Sequence, residues 1–153
     1  MKKLLLLVGL LFVGMTNFAQ SNEYIEMARA ILEQETKEAI AEVMVLDDAQ
    51  SKEFWILVQE YEDLSYFVKD KRIALIKDYA KNYNNISNEK ADDYANQFFA
   101  FKQEDLKLKK KYYKKMKKII PATEAAKFIQ AINKIDDLVN AKLALEIPLI
   151  SSN

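Results

Sequence analysis

The chain has 153 residues, 23 basic and 23 acidic side chains, no cysteine and no histidine, and half of its residues are hydrophobic. Both glycines, Gly9 and Gly14, fall in the apolar N-terminal stretch, and the two prolines come late, at Pro121 and Pro148. This composition excludes a thiol nucleophile, a disulfide, a standard zinc site and an imidazole base, and the lack of later glycines excludes phosphate-cradling loops and nucleotide fingerprints.

In chain order, Met1-Lys2-Lys3 and the apolar run from Leu4 to Val13 form the n-region and h-region of a signal peptide, with a cut expected after Ala19. The run falls short of the ~20 residues a spanning helix needs, so no stable membrane anchor is expected after cleavage. No cysteine follows it, which excludes lipid attachment of the bacterial lipoprotein kind. The expected location is the periplasm. The leader holds two lysines and no acid, which leaves 21 basic against 23 acidic residues beyond residue 19. Residues 20–153 read as a single all-helical domain held together by apolar packing alone.

Four helices follow from apolar spacing. Asn22 is the expected cap of a first helix reaching about Val45, with Tyr24, Met27, Ala28, Ile31, Ile40, Val43 and Met44 on its apolar face. Asp48 is the expected cap of a second helix from Ala49 to about Tyr83. Its seam is Phe54, Leu57, Tyr61, Leu64, Val68 and Leu75, at coiled-coil-like spacings. Asn82-Tyr83-Asn84-Asn85 is the strongest turn signal, because Asn tolerates the left-handed conformation. Ser87 caps a third helix to about Ile119, with Tyr94, Ala95, Phe98, Phe101, Leu106, Tyr112, Met116 and Ile119 inward. Pro121 starts a fourth, carrying Phe128, Ile132, Ile135, Val139 and Leu143 until Pro148 ends it. The second helix would be ~50 Å long at 1.5 Å per residue, longer than a compact sphere of this size is wide. The expected fold is therefore all-α, an elongated helical hairpin of about four helices, paired as an antiparallel cradle-like homodimer.

The segments Leu46-Asp47-Asp48-Ala49-Gln50 and Ile86-Ser87-Asn88-Glu89-Lys90 share one grammar, an aliphatic residue followed by a cap and polar residues. Both resemble degenerate copies of the Leu-Thr-x-x-Gln motif of the Spy/CpxP family of periplasmic stress proteins. Neither copy has Thr at its second position, and only the first keeps Gln, as Gln50. Phe54-Trp55 with Tyr61, and the stretch from Arg72 to Ala80, resemble a subgroup of small secreted bacterial proteins placed near that family. So do Tyr112-Tyr113, Phe128-Ile129-Gln130 and Glu146-Ile147-Pro148-Leu149-Ile150. The resemblance spans most of residues 46–150. It implies an all-α hairpin, often a cradle-shaped antiparallel dimer. It also implies ATP-independent binding of unfolded clients, or inhibitory docking on envelope-stress sensors. The family's metal-binding branch relies on His and Cys, which this chain lacks.

Charge is unevenly placed: residues 22–63 carry twelve acids and three bases, whereas Lys102 to Lys118 hold nine lysines against Glu104 and Asp105. If the second and third helices fold back around Asn84-Asn85, residue 61 lies opposite residue 111. Glu53, Glu60, Glu62 and Asp63 then face Lys107, Lys110, Lys111, Lys114 and Lys115, an intramolecular pairing that would set register. The alternative is a surface for unfolded proteins or a sensor. It would be built from Phe98, Phe101, Lys102, Leu106, Lys107, Lys110, Lys111, Tyr112, Tyr113, Lys114, Lys115 and Met116. Nucleic-acid binding is not expected in an exported chain with so little Arg.

The pairs Asp47-Asp48, Asp92-Asp93 and Asp136-Asp137 point about 100° apart on a helix and do not converge on one reacting atom. Glu35, Glu38 and Glu42 share a face and read as a solvated stripe. No catalytic constellation, cofactor site or metal site emerges. Trp55, beside Phe54, reads as an anchor for the first helix.

Overall fold

The computed structural model of the protein describes residues 20–150, with side chains described from residue 25. The expected signal peptide, residues 1–19, lies outside the described residues, as do the side chains of Asn22 and Tyr24. The fold is all-α. Its four helices are α1 (Gln20–Val43), α2 (Asp48–Asn82), α3 (Asn88–Met116) and α4 (Ala122–Glu146), and no strand occurs among the described residues. None of these helices is long and apolar enough to cross a membrane. The residues group into two compact units. One holds residues 20–45 together with Ala126–Ile147, and the other holds Leu46–Ala125 with residues 148–150.

In the first unit, α1 already includes Asn22, so the expected cap is an interior residue; nothing in Gln20-Ser21 opposes helix, and the helix takes them in. The buried side chains are Thr36 and Ile40 from α1 and Phe128, Ile132, Ile135 and Leu143 from α4. The α4 set stands at helical spacings, as its sequence predicts. On α1 the expected apolar face is only partly used: Met27 and Val43 are exposed. Local pairs line the solvent side, with Lys37 Nζ 2.7 Å from Glu33 and Gln34 Nε2 donating to Glu38 at 3.1 Å. Glu38, one member of the predicted acidic stripe, is thus engaged along its own helix.

The second unit is an antiparallel hairpin of α2 and α3. The cap of α2 is Asp47, one residue earlier than expected. Its carboxylate accepts from Gln50 N at 2.8 Å, and Gln50 Oε1 accepts from Asp47 N at 3.4 Å. This reciprocal box requires a long amide three residues after the cap, and only Asp47 has one in Gln50. Ser87 caps α3 as expected, its hydroxyl accepting from Lys90 N at 3.2 Å. Pro121 offers its carbonyl to Ala125 N at 3.0 Å, so its missing N–H costs α4 nothing.

Both connections in this unit close without a left-handed residue. Tyr83 ends α2 at φ −58° and Lys117 ends α3 at φ −59°, and no described residue has positive φ. The asparagines act through hydrogen bonds instead. Asn85 N donates to Asn82 O at 3.0 Å, while Asn82 Nδ2 donates to the Asp78 carbonyl at 2.7 Å. The end of α3 tightens in the same manner, with Ile119 N and Ile120 N both donating to Met116 O at 3.0 Å. The helix therefore stops at Met116, three residues before the expected end.

The hairpin core is a ladder of large side chains. Phe54, Val58, Tyr61 and Ser65 from α2 are buried, as are Tyr94, Phe101, Leu108, Tyr112 and Met116 from α3. Tyr61 and Tyr112 meet edge to face at a centroid distance of 5.6 Å, and Tyr79 and Tyr94 do the same at 5.6 Å. Arg72 lies over the Phe101 ring at 5.6 Å. In each pair the two residue numbers add to the same value, so one register holds along the hairpin, with residue 61 opposite residue 112. The seam on α2 is rotated from the expected one: Val58 and Ser65 replace Leu57 and Leu64, and Leu64 is exposed. Of the inward set expected on α3, Ala95, Phe98 and Leu106 face out.

Candidate functional site

At roughly 100° per residue, α3 has two sides with different chemistry. Toward α2 its charges are paired. Lys115 Nζ lies 2.5 Å from Glu60 Oε2, which also accepts from the Tyr112 hydroxyl at 3.3 Å. Glu104 receives Lys71 Nζ at 2.6 Å, and Asp78 receives Lys90 Nζ at 2.9 Å. Residues 60, 71 and 78 are spaced by eleven and seven, and residues 90, 104 and 115 by fourteen and eleven. These spacings are near whole numbers of helical turns, so all three bridges run along one flank of the hairpin. Lys109, largely buried, is held by Asp105 one turn earlier at 2.9 Å.

These contacts shift titration in consistent directions. Glu60 is held below the ordinary carboxylate range, chiefly by the hydrogen bond from Lys115, against some desolvation. Asp78 is held low chiefly by the hydrogen bond from Lys90, with Tyr94 adding to it. Lys115 and Lys90 are raised in turn by those same partners. Burial raises the Tyr112 phenol.

The outward side is different. Lys107, Lys110, Lys111, Lys114, Lys115 and Lys118 line one open depression of about 410 Å³. Apart from Lys115, none of them has a carboxylate within ion-pair distance among the described residues. The intramolecular pairing expected from sequence is therefore realised by Glu60 with Lys115, with the charge of Lys111 adding at longer range, while Lys107, Lys110 and Lys114 stay outside it. The reason is phase, since a run of adjacent lysines necessarily distributes its charges around the helix. Asp63 accepts from Gln59 Nε2 at 2.8 Å, along its own helix.

The twelve residues predicted as a binding surface divide in the same way. Phe101, Tyr112 and Met116 belong to the core and present no surface, because they stand on the line that packs against α2. Phe98 and Leu106 are exposed, and Lys102 lies over the Phe98 ring at 5.6 Å. Tyr113 is half-buried beneath Lys117, whose Nζ lies 5.0 Å from the ring centroid. Sequence reasoning missed Phe99, which is 65% exposed, and the α2 pair Tyr66 and Phe67, which are also exposed and meet edge to face at 5.8 Å. The seven-residue interval between Phe99 and Leu106 was the signal that would have found the first. Among the described residues no group of three or more acidic side chains is placed to hold a metal ion. Compared with protein-family models, curated proteins and solved structures, the chain matches none.

Proposed function

We propose that this protein is an exported, Spy/CpxP-like helical binding protein that holds partially unfolded envelope proteins without ATP, working as a homodimer. The observation that carries this reading is the exposure of Phe98, Phe99 and Leu106 on the same helix as a lysine-rich face. Shallow apolar contacts beside mobile cations suit segments of unrelated sequence, since neither demands a fixed partner geometry. Electrostatic attraction speeds capture, and the modest apolar area keeps release fast. The surface in this reading is Phe98, Phe99, Lys102 and Leu106 with the neighbouring lysines, the core members of the sequence-derived set being set aside.

The test is aggregation of a chemically denatured client, followed by light scattering, with and without stoichiometric purified protein at low and moderate salt. Protection is expected, stronger at low salt and weakened by Phe99→Ser with Leu106→Ser. Absence of protection at both salt concentrations overturns the reading. A single saturable partner in crosslinking, in place of many weak ones, replaces it with regulatory docking on an envelope-stress sensor.

A further inference from the structure

Beyond client binding, the outer side of α3 combines two features that also suit a membrane surface. Phe99, Leu106, Lys110 and Lys117 stand at intervals of seven, four and seven, so they form one line along the helix, on the side away from α2. Lys107, Lys114 and Lys118 form the adjoining line. Leu106 is 51% exposed and Phe99 more so. The two acids within Lys102 to Lys118 are both occupied elsewhere, Glu104 by Lys71 and Asp105 by Lys109. The outer face therefore carries an excess of cations over about 14 Å of helix, from residue 107 to Met116, and on into Lys117 and Lys118 just past its end.

We infer that this face adsorbs to the surface of an anionic phospholipid bilayer, with its lysines against headgroup phosphates and Phe99 and Leu106 entering the headgroup region. The shape is open enough to meet a plane. The lysines project from one continuous stretch, residues 107–118, at the end of α3 and just past it, and the depression between their stems is open. Lysine is a hydrated point charge on a flexible stem, suited to laterally mobile headgroups; bidentate phosphate recognition would call for Arg, and this face has none. Long lysine stems also let the helix lie close to the boundary while the ammonium groups stay in the wet layer.

The experiment is flotation of the purified protein with vesicles of phosphatidylcholine alone and of phosphatidylcholine containing phosphatidylglycerol. Binding is expected only to the second, and only at low to moderate salt, because surface attraction decays within a Debye length. Replacing Lys107, Lys110 and Lys114 together by Gln is expected to lower partitioning on the order of a hundredfold, at roughly fivefold per lysine. Lys90→Gln, which removes a cation already committed to Asp78, should leave binding unchanged. Equal binding to both vesicle types, no binding to the anionic ones, or indifference to the triple substitution each overturns the inference. So does loss of self-association in the triple variant without loss of flotation, which would assign the face to a second copy of the chain. Client protection is read in a separate assay, so either proposal can fail while the other stands.

Discussion

Two populations of lysine share the helix α3, and they differ in what the rest of the fold does with them. Lys90, Lys109 and Lys115 each end on a carboxylate, two of them on α2. Lys107, Lys110, Lys114 and Lys118 point away from α2, with no carboxylate in reach among the described residues. A run of like charge is therefore not one feature. Helical phase divides it into a fraction paired with carboxylates and a fraction left exposed.

The largest expected effect lies on the inner side. Tyr112→Ala removes the ring that packs on Tyr61 and the hydroxyl that reaches Glu60, and should destabilise the hairpin by about 3–5 kcal/mol, read by thermal or denaturant unfolding. A loss no larger than that of an outer lysine would erase the distinction between the two sides. Next comes the start of α2. Asp47→Ala removes the capping box and should cost about 1 kcal/mol, whereas Asp48→Ala, at the originally expected cap, should cost less. Equal losses would return the cap to an open question of register.

The smallest effect separates the two lysine populations directly. Glu60 and Asp78 have their carboxyls lowered on folding, so they stabilise the hairpin above their unfolded titration range and lose that contribution as pH falls through the lowered folded values. Lys115 and Lys90 are raised, so their contribution is complete below the unfolded lysine range and is lost as pH rises through the raised values. Stability should thus hold through neutral pH and decline in strong acid and strong alkali. Lys115→Ala should soften the acid decline by releasing Glu60, and Lys114→Ala should superimpose on the parent curve. Coincidence of the Lys115→Ala and Lys114→Ala curves would mean that the ion-pair flank does not distinguish them.

The register of the hairpin was legible in the sequence, because helix rise is constant and the asparagine tip marks where the chain reverses. Folding at Asn84-Asn85 places residue 61 opposite 111, and the structure sets Tyr61 against Tyr112. Rotation was less legible. Leu57 and Val58 are both aliphatic neighbours, and spacing alone does not choose between seams one residue apart; the structure buries Val58 and Ser65. On α3 the spacing offered Phe98, Phe101, Leu106, Tyr112 and Met116 both to the core and to a surface, and the structure divides them, burying Phe101, Tyr112 and Met116 and exposing Phe98 and Leu106. The position of the α2 cap is readable in Gln50, three residues after Asp47 and not after Asp48.

The turns in this unit have a consequence for the unfolded chain. Every residue after Gly14 carries a Cβ, and neither connection in this unit uses a conformation that only glycine reaches easily. The denatured ensemble is correspondingly narrower than that of a protein whose helices end on glycine, and closing the tip costs less chain entropy. Glycine at Asn84 would relieve no strain in the folded state and would widen the ensemble that folding must overcome. The missing residue type thus acts on the state that no contact map displays.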